Sequence, residues 1–539
     1  MRTAQRLLLP LLAMALLAAC GGGGEGDSGF TPTTPTTPAT PGISYTRGVY
    51  PAAATFANQC QTPRSGVDPA TGQRYPDVLG SSLAEKHFLR SWTNDLYLWF
   101  NEVADVDPAS VAAVLAYFDT QVTTAVLANG RKKDEFHFTY DTAEYYALSE
   151  SGTSVGYGVS WDLVRNTPPR QLIVQYLQAG TQAATAGVTR GAEVLRVDGV
   201  DLVNDNTTAG IATINSALFD PVQGSMHSLV FRDRGTGAQR TVSLTASAVT
   251  IEPVPLVRVL PTAAGNLGYM QFNDHIATAE RQLFDGITQL RNANVQDLVL
   301  DLRYNGGGYL IIASELAYMI AGPTSTAGKN FERTAFNSKH PVTNPVTGAQ
   351  LTPMPFTATS VGASVTSGQA LPTLNLSRVY VLTTGGTCSA SESVINGLRG
   401  AGIEVIQIGG DTCGKPFGFY PEDNCGTTYF SIQFNGVNHV GFGDYAAGFS
   451  PVLRSGQPAG AKLPGCEVAD DYAHDLGDPA ERMLKVAMDY RVNNRSCALA
   501  SSGDDSGSPR VQPSAAASGV EGLPLRLPPE PWRHNRILR

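Results

Sequence analysis

The chain of 539 residues predicts an α/β fold, with a small β-rich domain and a helical N-terminal region preceding the main α/β core. Three observations carry this expectation. Leu298-Val299-Leu300-Asp301-Leu302-Arg303 and Val379-Tyr380-Val381-Leu382 read as buried strands that run into tight turns. Each is followed by the apolar stripe of a helix, Ile311, Leu316 and Met319 after the first, Val394, Ile395 and Leu398 after the second. Glu404-Val405-Ile406-Gln407-Ile408 supplies a further strand, and Gly268-Tyr269-Met270-Gln271-Phe272 another before them.

In chain order, Arg2 and Arg6 precede an apolar run from Leu7 to Leu17, the pattern of a secretory signal over residues 1–19. That run is too short for a stable bilayer span. It ends Leu17-Ala18-Ala19-Cys20-Gly21, which resembles a bacterial lipoprotein cleavage box and implies lipidation of Cys20. Residues 20–44 are Gly-rich and then repeat Thr-Pro, the composition of an extended tether that buries no core. Gly26-Asp27-Ser28-Gly29 within it matches the active-serine string of trypsin-like proteases by chance, with no histidine or buried strand before it.

Residues 45–148 read as a mostly helical region, with Phe88-Leu89-Arg90-Ser91-Trp92 and Leu96-Tyr97-Leu98-Trp99-Phe100 as core-facing aromatic stripes. Residues 149–250 are expected to form the β-rich unit, 251–497 the main α/β domain, and the polar, Pro-rich 498–539 a tail expected to be disordered. Residues 325–375, rich in Thr, Pro, Ser and Gly, read as a long loop or insertion.

The chemistry concentrates at the ends of the strands. Ser389, in Thr387-Cys388-Ser389-Ala390-Ser391-Glu392, falls at a strand-to-helix turn, where free backbone N–H groups and the helix dipole favour an oxyanion. Ser389 and Glu392 also have capping-box spacing, a purely structural use of the same residues. Lys415 follows Gly409-Gly410-Asp411-Thr412-Cys413-Gly414, one helix and one strand later, so the chain can bring it back beside Ser389. An ammonium accepts no proton, so a general-base lysine has to be desolvated enough to lose its own near neutrality. Gly409 to Lys415 also fits the start of a phosphate-binding loop, but Pro416 stands where the Mg-binding hydroxyl belongs, which excludes nucleotide binding. Gly306, Gly307 and Gly308 after the 298–303 strand permit positive φ and close approach of backbone N–H groups to a ligand. His275, after the 268–272 strand, is the competing base, since an unperturbed imidazole accepts protons at neutral pH.

Asp301-Leu302-Arg303-x-Asn305-Gly306-Gly307-Gly308, Ser389-Ala390-Ser391-Glu392 and Gly414-Lys415, in this order, resemble the S41 peptidases, the carboxyl-terminal-processing or tail-specific proteases. The resemblance covers roughly residues 80–495. It implies a core of the β-α spiral type, Ser389 as nucleophile, Lys415 as general base, and an oxyanion hole from a backbone N–H in Gly306–Gly308 together with that of Ala390. Many members carry a glutamine four residues after the lysine, where this chain has Phe419; Gln433, on an expected strand 429–434, is the distant substitute, and the third catalytic member stays unassigned. Val155-Gly156-Tyr157-Gly158-Val159 resembles the carboxylate-binding loop of PDZ domains, in which a peptide adds a strand to a sheet edge. The later run through Ala183–Val188, Arg190–Val197 and the Asp198-Gly199 turn fits the same domain, whose peptide-binding residues are then Gly156, Tyr157, Gly158 and Val159.

Net charge of −9 with no basic run argues against nucleic acid. Apart from Cys20, the cysteines Cys60, Cys388, Cys413, Cys425, Cys466 and Cys497 are even in number, favouring disulfides in an exported chain, with Cys413 and Cys425 placed to pin the loop of Lys415. Cys388 is a rival nucleophile if it stays a free thiol. No Cys/His spacing makes a metal site, and no cofactor is expected. The sequence therefore predicts a lipid-anchored, periplasm-facing serine endopeptidase of the bacterial envelope, at the outer membrane, acting on proteins with free C-termini and open to an activating partner. A catalytically inactive peptide-binding lipoprotein of the same fold is the alternative.

Overall fold

The computed structural model describes residues 43–68, 72–127, 130–454, 456, 460–493 and 495–497, together with a strand at Asn535–Arg536. The expected signal, Cys20 and nearly all of the tether and tail lie outside the described residues. No helix among the described residues is long and apolar enough to cross a membrane.

The main sheet is built from β1 (Leu256–Leu260), β2 (Leu267–Gln271), β3 (Asp297–Asp301), β4 (Arg378–Thr383), β5 (Glu404–Gly409), β6 (Phe449–Leu453) and β7 (Ala461–Cys466), in the order β1-β2-β3-β4-β5-β7-β6. All neighbours run parallel except β1 against β2. Parallel strands need crossovers, and three of these are helices: α1 (Ala279–Asn292), α2 (Leu310–Thr326) and α3 (Ala390–Gly400). A fourth helix, α4 (Arg482–Val492), follows the sheet.

Strand periodicity of two explains why these segments carry almost unbroken apolar sequence. Val379 and Val381 of β4 face one layer, packed with Leu316, Val394, Ile395 and Leu398 of the helices, while Tyr380 and Leu382 face the other, packed with Met483, Leu484 and Ala487 of α4. Both faces are covered, so both must be apolar. Each Leu, Ile or Val fully buried in this way contributes ~1.5–3 kcal/mol relative to exposure. The helix after β3 extends past its expected stripe and is interrupted at Gly322, φ 75°, next to Pro323.

Register sets up the site. Asp301 pairs with Leu382 and Leu382 with Ile408, so the C-terminal ends of β3, β4 and β5 are level. The turns bearing Gly306–Gly308, Ser389 and Lys415 all leave from that edge, where open parallel sheets hold their ligands.

Upstream, an antiparallel sheet runs in the order Gln239–Thr245, Met226–Arg232, Glu193–Val197, Gln171–Leu177, Val159–Arg165, with Val200–Asp201 added to Glu193–Val197. It closes a separate core of Leu172, Val174, Val194, Leu229, Phe231 and Ile214, the last from the helix Thr208–Leu218. Asp198 and Gly199 both have positive φ, as a tight hairpin turn requires.

Several expectations change. Among the described residues of the region 45–148, helix is confined to Ser82–Leu96, Val114–Phe118, Thr142–Ser151 and short 3₁₀ turns. The first helix ends at Leu96 because Tyr97 turns to extended backbone, and its ring is buried in a cluster with Phe136, Phe138, Phe419 and Phe430. The expected strand 429–434 is two strands: Thr427–Phe430 pairs with Phe138–Asp141, while Phe434–Val437 pairs with Asn330–Phe336, so the chain changes sheets between them. The 325–375 segment accordingly contributes Asn330–Phe336 as a strand. The short strand Gly308–Tyr309 pairs in parallel with Asn535–Arg536.

Candidate active site

Ser389 caps α3 with φ 57° and ψ −116°, a conformation that non-glycine residues adopt only under constraint from their surroundings. It is fully buried, and the Glu392 arm of the expected capping box is in place, with Ser389 N donating to Glu392 Oε2 at 3.0 Å. Ser389 Oγ nonetheless closes no hydrogen bond among the described residues, so the hydroxyl is not committed to capping.

Lys415 is brought to the same place by backbone chemistry. Its amide N donates to Glu392 Oε2 at 2.8 Å, the oxygen that also receives Ser389 N. Gly414 N at 2.9 Å and Thr412 Oγ1 at 2.5 Å donate to Glu392 Oε1. The Cys388–Cys413 disulfide joins the same two turns covalently. Burial raises the Glu392 carboxyl above its ordinary range, and the donors from Thr412, Lys415, Gly414 and Ser389 oppose that rise. The capping spacing of Glu392 was visible in sequence; its bridging of the serine and lysine turns was not.

The Lys415 side chain is buried, with Nζ 4.1 Å from the centroid of the Phe419 ring and 5.0 Å from that of Phe136. Gln433 is no substitute for a glutamine at 419. Its amide is spent on Tyr420, accepting from the backbone N at 3.1 Å and donating to the backbone O at 3.0 Å.

The glycine turn lies against the serine. A Cβ at Gly307, φ 114°, would stand 2.7 Å from Ser389 Cβ and 3.0 Å from Ala390 N, so no side chain fits there. Gly307 N donates to Asn305 Oδ1 at 3.0 Å, which narrows the candidate oxyanion donors in this turn to Gly306 and Gly308, with Ala390 N across from them.

His275 takes a different part. It is wholly buried, and burial drives its pKa down to about 3 against the opposing contacts of Asn305 and the Gly307 carbonyl. Nδ1 lies 3.0 Å from Asn305 Oδ1 and 3.2 Å from Gly307 O, and His275 N donates to Gly307 O at 2.9 Å. A neutral imidazole aimed at the turn braces the glycines, and it is unsuited to the role of competing base.

The disulfides are Cys60–Cys425, Cys388–Cys413 and Cys466–Cys497. Cys413 and Cys425 thus reach different partners, and Cys388 is no free thiol. Cys388, Glu392 and Cys413 come within 4.8 Å of one another, but the sulfurs are bonded to each other and the carboxylate is occupied.

Away from this edge, Gly156 ends the strand Thr153–Gly156, and Val159 begins Val159–Arg165 at the rim of the antiparallel sheet. Between them Tyr157 is buried, its hydroxyl donating to Ala217 O at 2.6 Å. Gly158, φ 71°, leaves no room for a Cβ against Thr181. The Gly156–Val159 loop thus leads into the antiparallel sheet, whereas the Ser389 turn leaves a strand of the main sheet.

Residues 266–418 match the model of peptidase family S41. The carboxyl-terminal-processing protease of a Picosynechococcus species is 25% identical over 221 residues, covering 41% of this chain and 51% of that protein. The chloroplastic carboxyl-terminal-processing peptidase 2 of Arabidopsis thaliana is 30% identical over 172 residues, covering 31% of this chain and 32% of its own. The matches thus span about half or less of these relatives' length. A putative S41 protease from Bacteroides fragilis superposes with a TM-score of 0.54 at 21% identity, covering 77% of this chain and 97% of that one, which bears on the fold.

Proposed function

We propose that this chain is a serine endopeptidase acting on protein C-terminal segments through Ser389 and Lys415, a reading supported by the match of residues 266–418 to the model of peptidase family S41 and by the likeness to carboxyl-terminal-processing proteases. The observation that carries the reading is the shared Glu392 oxygen, which holds the amides of Ser389 and Lys415 on one carboxylate beside the glycine turn. In the proposed reaction the Ser389 proton passes to Lys415 Nζ as Oγ bonds to the scissile carbonyl carbon. The oxyanion is held by N–H groups of the Gly306–Gly308 turn and Ala390. The proton then passes to the leaving amine, and water releases the acyl group from Ser389.

The Gly156–Val159 loop and the rim strand Val159–Arg165 are proposed as a PDZ-like site where a substrate C-terminus adds as a strand. A lipidated Cys20 and an envelope location belong to the same proposal, on the signal-like N-terminus. The domain limits 149–250 and 251–497 follow the division into an antiparallel sheet and a main sheet with separate cores.

Phe419 favours the binding-only alternative, since a polar orienting residue is missing there, and one experiment separates the two. Wild type, Ser389→Ala and Lys415→Ala are incubated with an unfolded protein bearing an apolar free C-terminus, and fragments are read by mass spectrometry. Cleavage by wild type, reduced at least ~10³-fold in both variants with folding intact, supports the enzyme. Equal cleavage by wild type and Ser389→Ala would sink it.

A further inference from the structure

The turns that carry Ser389 and Lys415 are joined by a covalent bond beside both residues. Cys388 directly precedes Ser389, Cys413 stands just before Gly414 and Lys415, and their disulfide closes over α3 and β5 across a sequence separation of 25. Its two ends are held unequally. Cys388 is wholly buried in the cluster of Tyr97, Phe138, Phe419 and Phe430, and its N donates to Asn305 O at 3.1 Å, at the root of the glycine turn. Cys413 is partly exposed at the edge of that cluster, and its N donates to Thr387 O at 3.0 Å. Cys413 Sγ also lies 3.4 Å from Glu392 Oε2, the oxygen that takes the amides of Ser389 and Lys415.

Opening this bond changes two things at once. Sulfurs that are no longer bonded have to separate to van der Waals contact, and the partly exposed Cys413 is the end with room to yield. A disulfide sulfur carries no proton, whereas a thiol does, so the reduced Cys413 gains an S–H donor beside Glu392 Oε2. That oxygen already accepts two amides, and a third donor displaces one of them. Either change moves the lysine turn against the serine turn.

We propose that the Cys388–Cys413 disulfide positions the Ser389–Lys415 pair and is a redox switch on it: closed, it holds the working geometry, and opened by a dithiol it releases the turn of Lys415 and turns the peptidase off. The switch rests on the reading of Ser389 as nucleophile and Lys415 as base. In the opening step a thiolate of the dithiol attacks Cys413 Sγ, the S–S bond breaks, and its electron pair leaves on Cys388 Sγ, which takes a proton. The second thiol of the reductant, losing its proton, displaces Cys413 as a thiol and leaves as a cyclic disulfide. Two electrons and two protons have then passed from the dithiol to the protein. With the exported location proposed above, a newly made chain stays inactive where thiols are kept reduced and gains activity on oxidation.

The test uses the full chain in buffers of reduced and oxidised dithiothreitol, with the fold followed by circular dichroism and the opened disulfides identified by differential alkylation and mass spectrometry. Opening of Cys388–Cys413 is expected to lower kcat for a peptide substrate roughly 10²-fold with KM little changed, since a displacement on the order of 1 Å suffices for such a loss. Labelling of Ser389 by a neutral fluorophosphonate falls in parallel, and reoxidation restores both. Cys388→Ala/Cys413→Ala is expected at the reduced level in every buffer. A second measurement is independent of catalysis: amide hydrogen exchange over residues 410–415 is faster in the opened chain than in the closed one. Faster exchange there supports the tether even if wild type never labels at Ser389, in which case only the enzyme reading falls. Wild-type kcat after demonstrated opening, in the reduced chain or in the folded double variant, overturns the proposal. So does exchange at 410–415 that opening leaves unchanged, activity lost only together with the fold, or a bond that resists the dithiol in the folded chain; the disulfide is then a stabiliser of the fold alone.

Discussion

Glu392 concentrates the energetics of the site in one buried carboxylate. It receives Ser389 N, Gly414 N, Lys415 N and Thr412 Oγ1, so it orders both turns without occupying the Ser389 hydroxyl. Replacing it by glutamine sets an NH₂ donor against backbone N–H donors, and no rotamer satisfies them all. Glu392→Gln is expected to destabilise the protein by about 2–3 kcal/mol and to lower kcat/KM by roughly 10²-fold, because a displacement on the order of 1 Å suffices for such a loss. Denaturant unfolding and steady-state kinetics on the variant check this; wild-type kinetics would show that the serine and lysine turns hold their geometry without the carboxylate.

At the scale of elements, a buried pair of carboxylates, Glu280 and Glu315, holds the irregular stretch after Asn330–Phe336. Glu280, on α1, accepts from Val361 N at 2.7 Å, Ser364 N at 2.6 Å and Val365 N at 2.7 Å. Glu315, on α2, also receives Val361 N, at 3.1 Å. Burial, and then the neighbouring Glu280, push the Glu315 carboxyl up to about 9. Its folded pKa lies above the unfolded value, so the folded state binds the proton more tightly. The contribution to stability is full below the unfolded pKa and is lost as pH rises toward about 9, at up to ~1.4 kcal/mol per pH unit. Glu315→Gln keeps an uncharged acceptor there. It should flatten the decline between pH 5 and 9, read from denaturation midpoints, and an unchanged slope would remove Glu315 as its source. The pairing of Gly308–Tyr309 with Asn535–Arg536 gives another element-scale expectation: Asn535→Pro should speed amide hydrogen exchange at the Gly308–Tyr309 strand, measured by mass spectrometry.

Across the whole molecule, the antiparallel sheet is tied to the main sheet by a buried charge network. Arg190, in the run before Glu193–Val197, reaches Asp470 at 2.7 Å and Tyr304 OH at 2.6 Å. Asp470 also meets Arg303 at 2.6 Å, and Arg303 bonds Asp301 and Glu481. Tyr304 directly precedes the turn Asn305–Gly308, so the network joins the two sheets at the root of the glycines. Burial pushes the Asp470 carboxyl up, but Arg303 and Arg190 outweigh it and hold the carboxyl at about 2. A folded pKa below the unfolded one contributes stability above about pH 4 that is lost as pH falls through about 2. Asp470→Asn should cost about 3–5 kcal/mol at pH 7, since it leaves buried guanidinium groups without their anion, and should reduce the acid sensitivity between pH 4 and 2. Unfolding curves across that range test both, and an acid limb equal to wild type would place the sensitivity elsewhere.

The strands at Asp297–Asp301, Arg378–Thr383 and Glu404–Gly409, and the helices after the first two, were legible because both faces of a covered parallel sheet must be apolar and because glycine and polar turns punctuate them. The same local signals marked Ser389, Lys415 and Gly306–Gly308 as residues at strand ends. The sequence by itself thus determined the α/β class, the strand-turn-helix units and the turns on which the chemistry would sit, since each depends on neighbours a few residues apart. Tertiary structure alone decided that Glu392 bridges the serine and lysine turns, that Cys388 pairs with Cys413, that His275 is a buried neutral brace, and that Phe136 reaches Lys415 from the far side of the chain. Strand register and the packing of aromatic rings fix those contacts, and both depend on residues too distant in sequence for any local period to record.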